Sequence, residues 1–441
     1  MIRLRLHSPH DRQIITLAIP ALGSLVAEPL LALVDTAFMG RVGTDALGSL
    51  GVAGAVFGVA FFVFNFLEYG TTTSVAGAVG RADLAEAGRA TVTSLMIAIA
   101  AGACSAAVLF LARTPIVALF VGEGAVRDGA ITYVAIKAFA APAVLVVRAG
   151  HGAYRGYQDT RTPLRVALVM NGINLVLDPI LIFGAGWGIA GAAWATLIAQ
   201  YLGAATFVVL LRRGAHRYGT APGTRPARRE VRMFLRAGRD LAIRSGALLA
   251  AFTVATGAAA RVSDTVVAAH QVLFQLFVFL ALGLDALGIA GQAMVGRALG
   301  RGDRALAREV SDRAAGMGFI AGLAVAALMI GLAPFVPAWF TGDPAAREAI
   351  RTGYLILAGL QPLAAVVFVW DGVFIGAGDY GYLAVTTAAA SAVALLVLFS
   401  VVPLGWGLPG VWWGLGVLLA GRGLTLGWRR LDRSGPLRVT A

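Results

Sequence analysis

The chain has 441 residues, 59% of them apolar and only 13% charged, with a mean hydropathy of +0.80. Soluble proteins carry roughly 25% charged residues, so a water-soluble globule is excluded and a bilayer becomes the natural solvent. The net charge of +13 does not point to nucleic acid, because the arginines sit in short breaks between apolar runs, where membrane proteins write their orientation. The apolar content also excludes disorder, and the 56 glycines follow no period of three, which excludes collagen.

Twelve apolar segments follow in chain order. They lie near 12–39, 46–79, 86–112, 127–155, 162–184, 188–211, 234–261, 264–295, 306–333, 346–376, 381–404 and 408–428. A span needs about 20 residues, so several are long enough to tilt or to project beyond the bilayer. The first stretch runs on to Met39 with no small-residue cleavage site, so no cleaved signal peptide is expected. Cys104 is the only cysteine, which excludes an internal disulfide. The longest polar break, 212–232, is rich in Arg, Pro and Gly and reads as a solvated cytoplasmic linker. It separates an N-lobe (1–211, helices 1 to 6) from a C-lobe (233–441, helices 7 to 12).

The two lobes repeat each other at an offset of 219 to 220 residues. Gly186-Trp187-Gly188-Ile189-Ala190-Gly191 matches Gly405-Trp406-Gly407-Leu408-Pro409-Gly410, and Pro142 falls on Pro362. Leu119-Phe120-Val121-Gly122-Glu123 resembles Trp339-Phe340-Thr341-Gly342-Asp343. Gly152, Tyr154, Gly156 and Asp159 fall on Gly372, Phe374, Gly376 and Asp379. Four matches in one register indicate duplication. Six helices per half is an even number, so both halves begin on the same side, as parallel repeats with a cleft between them do. The expected fold class is an all-α integral membrane protein of twelve transmembrane helices in two parallel-repeat six-helix lobes.

Of the 36 basic residues, 27 fall on the side of the N-terminus and 6 on the other, so both termini are expected in the cytoplasm of a cell inner (plasma) membrane. Lys137, Arg148 and Arg244 lie within segments.

The residues then point to a family. Asp35-Thr36-Ala37-Phe38-Met39-Gly40-Arg41-Val42-Gly43 resembles the signature at the end of helix 1 of multidrug and toxic compound extrusion (MATE) transporters. Arg155-Gly156-Tyr157-Gln158-Asp159-Thr160-Arg161-Thr162-Pro163 resembles their helix 4–5 loop. Asn174 with Asp178-Pro179 resembles helix 5 of the DinF-like branch, and Ala269-His270-Gln271 and Asp371-Gly372-Val373-Phe374-Ile375-Gly376 add to the likeness, which covers the whole chain. It implies a twelve-helix exporter that exchanges drugs or metabolites for protons or sodium ions. It also implies that Asp35, Asn174 and Asp178 line an N-lobe cation site, where a sodium ion would bind. The sequence departs from some relatives in helix 4, where polar Asn residues are replaced by Arg148-Ala149-Gly150-His151.

An ionisable side chain inside a span is costly and therefore a functional candidate. Asp35 is ~35 Å along its helix from Arg12, and Asp178 is ~26 Å from Arg161, at 1.5 Å per residue. Both acids are thus expected in the outer half. Asn171, Asn174 and Asp178 share one helix face. Cation or proton coupling and substrate contact are assigned to Asp35, Asp178, Asn174 and Asn171, against the alternative that both acids are solvated at helix ends. A second group comprises Glu68, Asp285 and Asp371, with Arg148 and Arg244 as candidate partners. Two readings stay open for it, an inner gate closed by ion pairs and static structural pairing. Pro20 and Pro29 each remove a backbone hydrogen bond from helix 1, so a mobile bend at Pro20 and a fixed kink are both open.

Gly186-Trp187-Gly188-Ile189-Ala190-Gly191 has the spacing of a dinucleotide loop but joins two membrane helices with no preceding strand. There is no zinc-type histidine motif and no phosphate-loop lysine. His151 and His270 read as isolated satisfied histidines, and Phe and Trp residues as lipid-facing or core.

No enzyme activity, resident metal or organic cofactor is therefore expected. The sequence reads as a monomeric antiporter, with small-molecule substrates and the lipid bilayer as its partners. The resemblance implies that it exports organic, cationic or amphipathic compounds against protons or sodium ions by alternating access. The rival within the superfamily is a lipid-linked oligosaccharide flippase. Cysteine-accessibility labelling of Gly223→Cys checks the orientation: modification from the cytoplasmic side is expected, and modification only from outside would overturn it.

Overall fold

The structure is a computed structural model describing residues 8–220, 224, 226, 228–432 and 434–438. His7 and Gly223 lie outside the described residues. Helix α1 (Pro9–Val42) runs uninterrupted through Pro20 and Pro29. Helices α2 (Thr44–Phe62) and α3 (Asn65–Gly80) form one rod with a break at 63–64. Helix α4 (Leu84–Leu111) starts at Asp83, whose carboxylate accepts the Glu86 amide at 2.7 Å and so fills one of the open amides of the first turn. The short α5 (Arg113–Ala118) leads to α6 (Ala125–Lys137), which tightens into a 3₁₀ turn at Ala138–Ala140 before α7 (Ala141–Gly156). Helix α8 (Arg161–Pro179) loosens into a π-helical turn at Ile180–Gly184, and α9 (Gly188–Arg213) and the short α10 (Ala215–Tyr218) follow.

The second half is more regular. It contains α11 (Arg228–Val262), α12 (Asp264–Gly300), α13 (Arg304–Leu332), α14 (Val336–Phe340), α15 (Pro344–Gly376), α16 (Tyr380–Ser400) and α17 (Gly407–Leu431). No strand occurs among the described residues. Eleven rods are long and apolar enough to cross a membrane. The twelfth, α17, has 25 residues but is diluted by glycine and tryptophan and buries Arg422 within its length. The protein is an all-α membrane protein, and its rods follow the twelve segments read from sequence.

By contacts, the chain divides into two compact units. One is Ile19–Gly238; the other joins the start of α1, up to Ala18, to the chain from Arg239 onward. Each holds six rods. The divisions fall inside α1, beside Pro20, and inside α11. The break expected at 212–232 is helical at both of its ends. Helix α9 continues to Arg213, α10 covers four residues, and α11 begins at Arg228. This stretch is tied onto the first unit: Tyr157 donates its hydroxyl to the Tyr218 carbonyl at 2.5 Å, and Thr93 donates to the Glu230 carboxylate at 2.9 Å. Burial pushes the Tyr157 phenol up to about 12, so it stays a donor at physiological pH.

The duplication is written into the packing. α3 and α4 pack on α7, and α12 and α13 pack on α15. A Cβ placed on Gly102 would lie 2.4 Å from Cα of Pro142; one on Gly322 would lie 2.7 Å from Cα of Pro362. Gly152 approaches the Glu68 carbonyl and Gly372 the Gly288 carbonyl, each at 2.4 Å from a would-be Cβ. Every member of these pairs is 220 residues from its counterpart. Two turns show the same relation: Ala82 and Gln158 hold positive φ where the second half has Gly302 and Gly378. Asp303 repeats the cap of Asp83, accepting from the Leu306 amide at 2.9 Å.

The close approaches allow a direct check. Gly102→Val and Gly322→Val each force a branched side chain into backbone, and each is expected to cost at least ~1–3 kcal/mol of stability. Gly257→Ala, with open space around it, is expected to be neutral or mildly stabilising. Thermal unfolding of the detergent-solubilised protein measures all three.

Candidate coupling and substrate sites

The first unit places α1 and α8 so that Asp35 and Asp178 interact with each other, with Asn174 within reach of Asp178. Asn174 and Asp178 are completely buried. Neither oxygen of Asp178, neither amide atom of Asn174, nor Oδ1 of Asp35 has a hydrogen-bond partner among the described residues. A carboxylate offers only acceptors when ionised, so two facing carboxylates lack a donor unless a proton or a cation stands between them. Leaving a buried polar group unsatisfied costs about 1–3 kcal/mol, and five such atoms converge here. The local backbone is irregular as well: Asp178 directly precedes Pro179 and the π-helical turn, a form of helix common at functional sites.

Lys137 joins this site from the end of α6. Its ammonium acts electrostatically on Asp35, and Nζ donates to the Tyr133 hydroxyl at 3.2 Å. It also lies 5.1 Å from the centroids of Phe57 and Tyr133, within cation–π range. Sequence reasoning gives Lys137 no place in the site, although an ionisable residue in a span is the signal that would find it. Asn171, on the same face of α8, plays a different part. Its amide donates to the Ala27 carbonyl at 2.9 Å and staples α8 to α1.

The second group of candidates separates into two clusters, each closed within one unit. In the first unit, Glu68 pairs with Arg155, which is 2% exposed. Arg148, expected as a partner for an acid, instead donates to Oδ1 of Asn65. In the second unit, Asp371 accepts from Nε of Arg244 at 3.1 Å and from Arg422 at 2.6 Å, with all three side chains buried. Charge counting along the sequence places Arg155 and Arg422 with the cytoplasmic loops. Arg155 stands in the last turn of α7 and Arg422 inside α17, yet both are buried. Asp285 sits close enough to Arg422 to act on it. Each of these pairings joins residues of one unit.

Beside this triad the second unit holds a cavity of about 190 Å³. Arg244, Asp285 and Arg422 face it on one side, and Phe252, Phe277 and Trp412 wall it with aromatic surface. Phe277 and Trp412 stand edge to face at 6.3 Å. These aromatic residues, expected in the core or against lipid, thus line a chamber with a polar end. His270, on the same helix as Phe277, meets Thr256 Oγ1 at 3.2 Å through Nε2, while its Nδ1 has no partner among the described residues. It is therefore only half satisfied.

The fold is that of a polytopic membrane transporter built from a duplicated six-helix unit, with Asp35 and Asp178 brought together in the first copy. The MatE family pattern matches residues 20–180 and 244–400, once in each half, and the chain belongs to that family, whose members are multidrug and toxic compound efflux transporters. It is 34% identical over 440 residues to Protein DETOXIFICATION 44, chloroplastic, of Arabidopsis thaliana, covering 97% of this chain and 83% of that one. It is 31% identical to DNA damage-inducible protein F of Escherichia coli (strain K12), covering 96% and 93%. Among solved structures, a multidrug resistance MATE family transporter in an outward-facing conformation superposes with a TM-score of 0.88 at 22% identity, covering 100% and 99%. A MOP superfamily transporter from Pyrococcus furiosus gives 0.89 at 21%, covering 99% of both.

The triad yields a stability test. Asp371→Asn leaves two buried guanidiniums without their carboxylate, and is expected to cost roughly 3–5 kcal/mol. Arg244→Met leaves Asp371 paired with Arg422 and is expected to cost clearly less. Chemical unfolding in mixed micelles compares them; equal losses would show that Arg422 does not sustain the pair alone.

Proposed function

We propose that this protein is a cation-coupled antiporter that exports organic, cationic or amphipathic compounds, and that Asp35, Asn174 and Asp178 form the coupling site. The observation that carries this reading is the convergence of five unpartnered buried polar atoms on three residues of α1 and α8. Two carboxylates and the Lys137 ammonium leave this buried group with a formal charge of −1. Exposed Glu28 adds a further carboxylate at the margin, within range of Lys137. In a medium of low dielectric constant one negative charge is expensive, and one proton or one sodium ion neutralises it. Proton and substrate cation then compete for the same oxygens. Binding of the coupling ion from outside displaces the substrate outward, and release of the ion to the cytoplasm restores the charged site.

The bend at Pro20 is the mechanical part of the proposal. A proline inside a helix lacks one backbone hydrogen bond and lowers the cost of bending there, and the division between the two compact units falls beside it. The second unit's cavity, aromatic with a polar end, suits an amphipathic organic substrate. Its two arginines are both engaged by Asp371, which argues against a pyrophosphate-bearing lipid as cargo. The relative named for detoxification fits export of small organic compounds. We further propose that both termini face the cytoplasm and that the protein acts as a monomer in a bacterial-type inner membrane.

Reconstituted vesicles test the coupling. With a loaded cationic dye and separately imposed proton and sodium gradients, Asp178→Asn and Asp35→Asn are each expected to insert normally, to lose gradient-driven export and to flatten its pH dependence. The double variant should be little worse than either single one. Wild-type export with unchanged pH dependence in both single variants would overturn the carboxylate-pair mechanism.

A further inference from the structure

Away from the coupling site, the first unit holds an open groove of about 450 Å³ at the end where α8 begins and α9 finishes. These two helices are packed neighbours. On α8 the groove is lined by Thr162, Arg165 and Val169, spaced three and then four residues apart along one face. On α9 it is lined by Thr206, Leu210 and Arg213, spaced four and then three apart. Both stripes therefore change in the same direction, from a guanidinium near the helix end to aliphatic surface further along the span. Arg217, on α10, adds a third guanidinium to the mouth, 5.4 Å over the ring of Tyr218.

These three arginines are exposed, and none pairs with an acid among the described residues. Several other arginines of the chain are paired with acids. Arg81 pairs with Glu86, Arg313 with Asp11, Arg429 with Asp379 and Arg430 with Asp312. Three like charges around one groove repel each other unless an anion is shared between them. A guanidinium forks onto phosphate oxygens with two parallel donors. The aliphatic continuation along Val169 and Leu210 is of no use to a soluble anion, whereas it fits a molecule whose anionic head is followed by a hydrocarbon tail. Basic pockets between membrane helices near the bilayer surface recognise such lipids.

We propose that Arg165, Arg213 and Arg217 form a binding site for the phosphate head group of an anionic phospholipid, whose acyl chain lies along Val169 and Leu210. The site belongs to the α8–α9 pair and does not depend on the coupling reading. Occupancy would brace the helix that carries Asp178 from its opposite end.

The full-length protein in a neutral detergent tests this with phosphatidylglycerol, phosphatidylcholine and glycerol phosphate as probes. For the wild type, phosphatidylglycerol is expected to raise the thermal midpoint and to persist as adducts in native mass spectra, while the other two do neither. Replacing all three residues (R165Q, R213Q, R217Q) should weaken phosphatidylglycerol binding at least tenfold. A control set of equally exposed arginines (R228Q, R229Q, R304Q) should leave it within twofold. An equal loss in the control set would mean diffuse attraction and would overturn the site. Glycerol phosphate acting as strongly as the lipid would reassign the groove to soluble phosphates. A wild type that does not distinguish phosphatidylglycerol from phosphatidylcholine would overturn the proposal even if the triple variant failed to fold.

Discussion

Hydrocarbon supplies no hydrogen bonds, so every charge carried into a span must be balanced by the protein itself or by what it binds. That constraint organises this structure. Glu68 is answered by Arg155, and Asp371 by Arg244 and Arg422 together. Lys137 finds the Tyr133 hydroxyl, two aromatic faces and the charge of Asp35. One group is left short of donors, and it is the one that the coupling proposal uses. Asp178 and Asn174 are as deeply buried as any core leucine, yet their polar atoms have no partner among the described residues. The neighbouring closed clusters make that shortage meaningful, because the same chain satisfies its other acids at similar burial.

Duplication supplied the frame, and divergence supplied the chemistry. The glycine approaches at Pro142 and Pro362, and the Asp83 and Asp303 caps, are carried in both copies because they fix how α4 and α7, or α13 and α15, fit together. Among the described residues, the 3₁₀ and π turns occur only in the first copy. There the α2–α3 rod breaks at 63–64 whereas α12 is continuous, and the α6–α7 rod tightens at 138–140 whereas α15 runs through Pro362. The 3₁₀ turn starts directly after Lys137, and the π turn starts two residues beyond Asp178, directly after Pro179. Irregular helix frees or redirects backbone polar groups. In the first copy these irregular turns stand directly beside Lys137 and Asp178, two residues of the proposed coupling site.

Much of this was legible in the amino-acid order. Hydropathy and length gave twelve rods because a bilayer imposes both, and the internal matches gave the duplication because close glycine contacts tolerate no other residue. Asp35, Asn174 and Asp178 stood out because polar residues are rare in apolar segments. Pairing partners were legible only in part: Arg244 stands out as an arginine within a span and does meet Asp371. Arg155 and Arg422 looked like loop arginines because charge counting assigns a residue to the nearest end, while burial depends on which face of the helix it occupies. Arg148 and Arg155 are two turns apart on α7, and only tertiary packing decides that Asn65 meets the first and Glu68 the second. Asn171 shared a face with Asn174 and was grouped with it, but a shared stripe is wide enough for one residue to bond the next helix while another points into the site.

The arrangement also bears on why the proposed coupling site contains a lysine in a chain that otherwise uses only arginine. Arginine stays protonated in any protein environment and its planar fork would engage a carboxylate bidentately, which would close the pair permanently. Lysine presents a compact charge on a flexible stem and keeps its three donors free to rotate. Held by Tyr133 and two rings, it lowers the charge of the site by one without covering both oxygens of either acid. The second unit makes the opposite choice. Asp371 is gripped by two arginines, and that acid is thereby unavailable to a passing ion. On the coupling proposal, the choice of cation beside each acid separates, within one duplicated fold, a carboxylate gripped by two guanidiniums from a carboxylate left able to exchange what it binds.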